Sequence, residues 1–135
     1  MAAGGMAARS ILVVEDDRDI QHALCSVLRE EGYDVSSASD GREAISQLHA
    51  GERPGIILLD LMMPVMGGAD FRKVQLGDPQ LKDIPVVVLT ADGGYREIAR
   101  ALGAAAAFAK PFELDDLLDT IERVMGRGRQ AGASA

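Results

Sequence analysis

Apolar residues in this chain come in short dense runs, separated by stretches where they recur every three or four positions. The runs are Ile11–Val14, Val35–Ala38, Ile56–Leu59, Val86–Leu89 and Ala106–Ala109. The first, third and fourth are nearly unbroken and rich in β-branched residues or leucine. That is the pattern of parallel strands buried on both faces. The second is mixed and suits an edge strand. The fifth is alanine around Phe108, and "LGAAAAFA" taken alone also reads as a helix end.

Between the runs the spacing turns helical. Asp19 to Glu31 puts Ile20, Ala23, Leu24, Val27 and Leu28 on one stripe, and Gly32 stops it. Arg42 to His49 carries Ala44, Ile45 and Leu48. Gly68 to Leu76 carries Ala69, Phe71, Val74 and Leu76. Tyr95 to Leu102 carries Ile98, Ala99 and Leu102, closed by Gly103. Glu113 to Met125 carries Leu114, Leu117, Leu118, Ile121, Val124 and Met125, and acids at its start suit the helix dipole. Strand followed by helix, repeated through the chain, predicts a doubly wound α/β domain. Its sheet is parallel, covered on both faces, with right-handed crossovers. The Gly/Ala-rich ends predict disordered tails at 1–8 and 127–135, leaving 9–126 for one domain.

Composition narrows the class. A chain of 135 residues suits a single core. Aromatics are only 4%, so that core is aliphatic. The net charge of −7 argues against nucleic-acid binding, which needs a basic face. The single cysteine, Cys25, allows no internal disulfide and reads as a small buried hydrophobe on its helix. No apolar run approaches the ~20 residues of a membrane-spanning helix. The N-terminus lacks the apolar segment of a signal peptide. A cytoplasmic protein without a membrane partner is therefore expected.

The polar residues then matter by where they fall. In open α/β sheets, ligands bind beyond the carboxyl ends of the strands. Here those ends are followed by Glu15-Asp16-Asp17, by Asp60, by Thr90-Ala91-Asp92 and by Lys110-Pro111. Carboxylates packed close repel one another unless a cation sits among them. Oxygen-only ligands favour a hard cation such as Mg²⁺, which leaves room for a phosphate oxygen. A carboxylate nucleophile beside a divalent metal, a lysine and a hydroxyl suits phosphoryl chemistry. Taken singly, each feature also has a plainer reading. Glu15 to Asp17 reads as a solvated turn, Thr90 as a strand end, and Asp60 with Lys110 as a structural ion pair. Met62, Met63 and Met66 read as core filler or as a binding surface. Gly67 and Gly68 read as a break before the next helix, permitting positive φ. His22 and His49 read as solvent-facing helix residues.

Four motifs occur in order: "ILVVEDD", "IILLDLMMPVMGG", "IPVVVLTA" and "AFAKPF". Through them the chain resembles, from Arg9 to Met125, the receiver domain of two-component response regulators. The resemblance implies a flavodoxin-like (βα)5 fold with strand order 2-1-3-4-5. It implies Asp60 as phosphoacceptor, with Thr90 and Lys110 contacting the phosphoryl group. It places Mg²⁺ on Glu15, Asp16, Asp60 and the backbone carbonyl of Met62, with Asp16 direct and Glu15 through water. It implies a cis bond before Pro111, and a path for attacking water flanked by Met62 and Asp92. The expected protein is a phosphoacceptor switch that assists its own phosphorylation and dephosphorylation, rather than an enzyme. Its expected partners are a histidine kinase or histidine phosphotransfer protein and a downstream protein target. The target is reached through the face of Tyr95–Leu102, Ala106–Ala109 and the last helix. No helix-turn-helix pattern follows Met125, so output by protein contact is expected, from a monomer or weak homodimer. One position departs from the family. Ala107 stands where an aromatic ring is usual, and Phe108, one residue on, points to the other face of the strand. Two rivals follow from other classes: a receiver-like interaction module that is never phosphorylated, and a Mg²⁺-dependent phosphohydrolase. Against the second, Met62 occupies the place of its usual second aspartate, and the length leaves no room for a cap.

Overall fold

The apolar runs pair edge to edge. Strands β1 (Ser10–Val14), β2 (Asp34–Ala38), β3 (Ile56–Asp60), β4 (Val86–Thr90) and β5 (Ala106–Ala109) form one parallel sheet in the order β2-β1-β3-β4-β5. This computed structural model describes residues 9–91 and 93–134, with side chains up to 126. The tail expected over 1–8 and the residue Asp92 lie outside the described residues. Helices α1 (Arg18–Glu30), α2 (Gly41–His49), α3 (Gly68–Leu76), α4 (Tyr95–Ala101) and α5 (Leu114–Ser134) connect and follow the strands. The last helix runs past the expected domain end at 126, so that boundary falls inside α5. Among the described residues, no helix is long and apolar enough to cross a membrane.

The two-residue period of a strand splits the core into two layers. Ile11, Val13, Ile56, Leu58, Val87 and Leu89 join the layer that holds Leu24, Cys25 and Leu28 of α1 and Leu117 and Ile121 of α5. Leu12, Val14, Ile57, Leu59, Val86 and Val88 face the other way, with Ala44 and Leu48 of α2, Phe71 of α3 and Ala99 of α4. Each fully buried Leu or Ile contributes roughly 1.5–3 kcal/mol of burial, so continuous apolar strands are what this double covering demands. Cys25 is buried as expected, and burial raises its thiol pKa. His22 and His49 are exposed, His49 lying 3.4 Å from Asp78.

Helix α3 departs from its expected stripe. Ala69, Val74 and Leu76 are exposed, and the buried face is Gly68, Phe71, Arg72 and Gln75. The spacing is still helical, but two of the inward positions are polar. Their groups are satisfied. Arg72 donates to the carbonyls of Leu102 and Gly103 at 2.8 and 3.0 Å and to Gln75 Oε1 at 2.8 Å. Gln75 Nε2 donates in turn to the Leu81 and Ile84 carbonyls, each at 2.9 Å. Burial alone lowers the Arg72 pKa from its ordinary value. A buried polar group is tolerated when its hydrogen bonds are made, and these are.

Candidate functional site

The strand order reverses between β1 and β3. From β1 the chain steps outward to β2, then crosses back to β3 on the other side. A crevice therefore opens beyond the ends of β1 and β3. The register pairs Val14 with Leu59, which sets Glu15 and Asp60 side by side one step further on. Both are buried, at 2% and 4% exposure, while Asp16 beside them is exposed. Asp17 turns out to have another duty. It is the N-cap of α1, its side chain accepting from the N–H groups of Asp19 and Ile20. Leaving Asp17 out of the metal set is consistent with that role.

Lys110 reaches this crevice from the end of β5. Its Nζ lies 2.6 Å from Glu15 Oε1 and 3.4 Å from Asp60 Oδ2. The tighter contact is thus with Glu15 rather than with Asp60. Lys110 N–H also donates to the Thr90 carbonyl at 2.9 Å, which locks the end of β5 to the end of β4. Thr90 itself is fully buried. The Lys110–Pro111 bond is cis, as the resemblance implied. Asp60 Oδ1 accepts from the Met62 N–H at 3.1 Å, so this contact orients the carboxylate with Oδ2 toward the lysine. Gln21 on α1 donates to the carbonyls of Glu15 and Ala38 at 2.9 and 3.1 Å, holding the ends of β1 and β2 together. Its spacing from Glu15 gives no sign of this in the sequence.

Electrostatics follow from these distances. Burial raises the Glu15 carboxyl above its ordinary value. Hydrogen bonds from Lys110 and the Asp17 N–H oppose the rise, and the charge of Asp60 adds to it. Burial alone would depress the Lys110 ammonium. Its hydrogen bond to Glu15 and the charges of Glu15 and Asp60 outweigh burial, so its pKa is raised. One ammonium thus faces two buried carboxylates, with the exposed Asp16 beside them. Glu15, Asp16 and Asp60 each offer an oxygen, and these lie within 4.8 Å of one another. That donor set is all oxygen, excess in negative charge and partly open to solvent, which fits a hard divalent cation.

The loop after Asp60 is shaped differently from expectation. Neither Gly67 nor Gly68 adopts positive φ; the residue that does is Val65, at +66°. Glycine is needed at 68 for space instead. A Cβ there would lie 2.8 Å from the carbonyl oxygen of Asp60 and from Leu61 Cα. Val65 is pinned by a tight turn in which Met66 N–H donates to the Pro64 carbonyl at 2.6 Å. The Met66 carbonyl accepts from Gly41 N–H at 3.0 Å. Met63 and Met66 pack on the core, whereas Met62 is exposed. Left-handed backbone at a β-branched residue stores roughly 1–3 kcal/mol. Val65 is 74% exposed, so little packing is lost by replacing it. Val65→Gly should therefore raise stability by about 1 kcal/mol, the strain released less roughly 0.5–1 kcal/mol of glycine entropy. Urea unfolding measures this, and a loss of stability would refute the strain.

The comparisons with known proteins agree with this geometry. The family model "Response regulator receiver domain" matches residues 11–122. The chain belongs to the response regulator receiver family. It is 40% identical over 122 residues to the phosphate regulon transcriptional regulatory protein PhoB of Escherichia coli K12, a match covering 89% of this chain and 53% of PhoB. This receiver thus spans about half the length of that relative. Among solved structures it resembles the chemotaxis response regulator CheY4 of Vibrio cholerae. The TM-score is 0.77 and the identity 34%, over 85% of this chain and 97% of that one. It also resembles the response regulator TrrA of Thermotoga maritima, solved in complex with Mg²⁺–BeF. There the TM-score is 0.76 and the identity 29%, over 86% of this chain and 98% of that one. As a receiver it is part of a two-component system. The two residues around the family's usual ring position face opposite ways. Ala107 lies on the α2–α3–α4 side of the sheet, and Phe108 on the α1–α5 side, 6.1 Å from the Phe112 ring.

Proposed function

We propose that this receiver accepts a phosphoryl group on Asp60 from a partner phosphohistidine, in a Mg²⁺-dependent reaction, and signals through protein contacts. The observation that supports this most is the convergence of Glu15, Asp16 and Asp60 oxygens within 4.8 Å, with Lys110 Nζ 3.4 Å from Asp60. Glu15, Asp16, Asp60 and the Met62 carbonyl would hold the ion. When bound, Mg²⁺ neutralises charge on the transferring phosphoryl oxygens. The chain's own groups do the rest. Met62 N–H holds the Asp60 carboxylate in one rotamer. An Asp60 oxygen attacks phosphorus, the bond to the histidine nitrogen breaks, and an acyl phosphate forms. Lys110 shifts its charge toward the new phosphoryl oxygens, and Thr90 supplies a hydroxyl donor. Water later hydrolyses the acyl phosphate, releasing inorganic phosphate and restoring the Asp60 carboxylate. The domain assists both steps, and its product is a state rather than a released compound. The partner is a histidine kinase or histidine phosphotransfer protein in the cytoplasm.

Incubation with a small-molecule phosphodonor and Mg²⁺, followed by intact mass, tests the reading. One phosphoryl group per chain is expected in the wild type, and none in Asp60→Asn or after chelation of the metal. Phosphorylation that persists in Asp60→Asn would remove the assignment. A folded wild type that accepts no phosphoryl group would instead favour a contact-only module, for which Ala107 is the supporting observation.

A further inference from the structure

We propose that Arg72 is the positioning residue through which phosphorylation of Asp60 reaches α4, with α3 as the rod between them. This rests on the phosphoacceptor reading above and names the regulation of that same site. The first link lies at the start of α3. Gly68 N–H donates to the Leu61 carbonyl at 3.1 Å, and the two backbones are so close that even a methyl group at 68 would collide. The loop that carries the acceptor cannot shift without moving the end of α3. The second link lies one turn on. Arg72 donates through Nε and Nη2 to the carbonyls of Leu102 and Gly103, the C-cap of α4 and the residue after it. Gln75 braces the guanidinium through Nη1 and is itself fixed to the Leu81 and Ile84 carbonyls. Arg72 is 6% exposed and Gln75 is fully buried, so the donor side chains of these bonds lie largely out of water.

The carboxyl end of α4 is clamped by Arg72. Gly103, at φ +68°, is the corner from which the chain turns into β5. A shift of Arg72 is therefore delivered to both α4 and β5, the elements of the expected output face. The alternative route is absent here, because Ala107 has no ring to move and Phe108 packs on the far side of the sheet. Coupling of this kind needs a contiguous set of contacts and a test that perturbs only the link.

The test uses the full chain and the phosphoryl mimic beryllofluoride with Mg²⁺, read by hydrogen exchange with mass spectrometry. In the wild type the mimic should change exchange across 95–104 by about fivefold or more. In Arg72→Met, beryllofluoride affinity should stay within about threefold, and the response near 60–68 and 110–112 should persist, while the response across 95–104 falls below about twofold. Arg72→Lys keeps the charge and a single donor group, and should respond at an intermediate level. It carries the test if Arg72→Met does not fold. Either variant binding the mimic and responding across 95–104 as the wild type does would overturn the coupling, as would a wild type that binds without responding there. A wild type that binds no beryllofluoride would overturn the phosphoacceptor reading, and the coupling with it.

Discussion

Lys110→Met is expected to slow phosphorylation of Asp60 by a small phosphodonor about 10²–10³-fold, the usual loss when one positioned charge is removed from the developing oxyanion. The reason is geometric. Nζ sits 3.4 Å from Asp60 Oδ2 and 2.6 Å from Glu15 Oε1, and both carboxylates are buried, which weakens screening by water. Methionine keeps most of the length of the stem and removes the charge. The initial rate of mass gain at saturating Mg²⁺, per folded molecule, is the measurement. A loss of less than about tenfold would show that the metal alone carries the charge and that Lys110 serves the Glu15 contact.

Phe71→Ala should cost about 3–5 kcal/mol, a large share of the roughly 5–15 kcal/mol that holds a domain of this size together. The magnitude follows from how α3 is anchored. Of its buried positions, Gly68 has no side chain, and Arg72 and Gln75 are polar. Phe71 alone brings a large apolar side chain into the layer that includes Leu59, Val88 and Ala99, and it is fully buried. Urea unfolding should show a lower midpoint with little change in slope. A cost below about 2 kcal/mol would mean that the Arg72–Gln75 hydrogen bonds, not the ring, hold the helix to the sheet.

The strands are legible in the sequence because a parallel strand covered on both faces must be apolar throughout. Runs such as Ile56–Leu59 show no polar alternation and therefore announce themselves. The acidic ends are legible for the complementary reason, since carboxylates directly after such runs must face a common edge. What the sequence hides is anything set by a partner distant along the chain. Arg72 and Gln75 look like surface residues until the carbonyls of Leu102, Gly103, Leu81 and Ile84 come into place around them. The apolar Val74 and Leu76 then look like core, and are exposed. The glycines suggest positive φ, yet it falls on Val65, while Gly68 serves the close approach to the Asp60 backbone.

The hydrogen bond between Lys110 and Glu15 joins residues 95 positions apart. Contacts of that separation carry a large loop-closure entropy and are slow to form. Synthesis delivers the acidic end of β1 long before the lysine. A nascent or half-folded chain therefore displays carboxylates but not the cation that completes them, and on the proposed reading Asp60 then lacks the lysine that faces the incoming phosphoryl group. On the phosphoacceptor reading proposed above, competence to be phosphorylated is in this sense a certificate of finished folding, issued by the last strand.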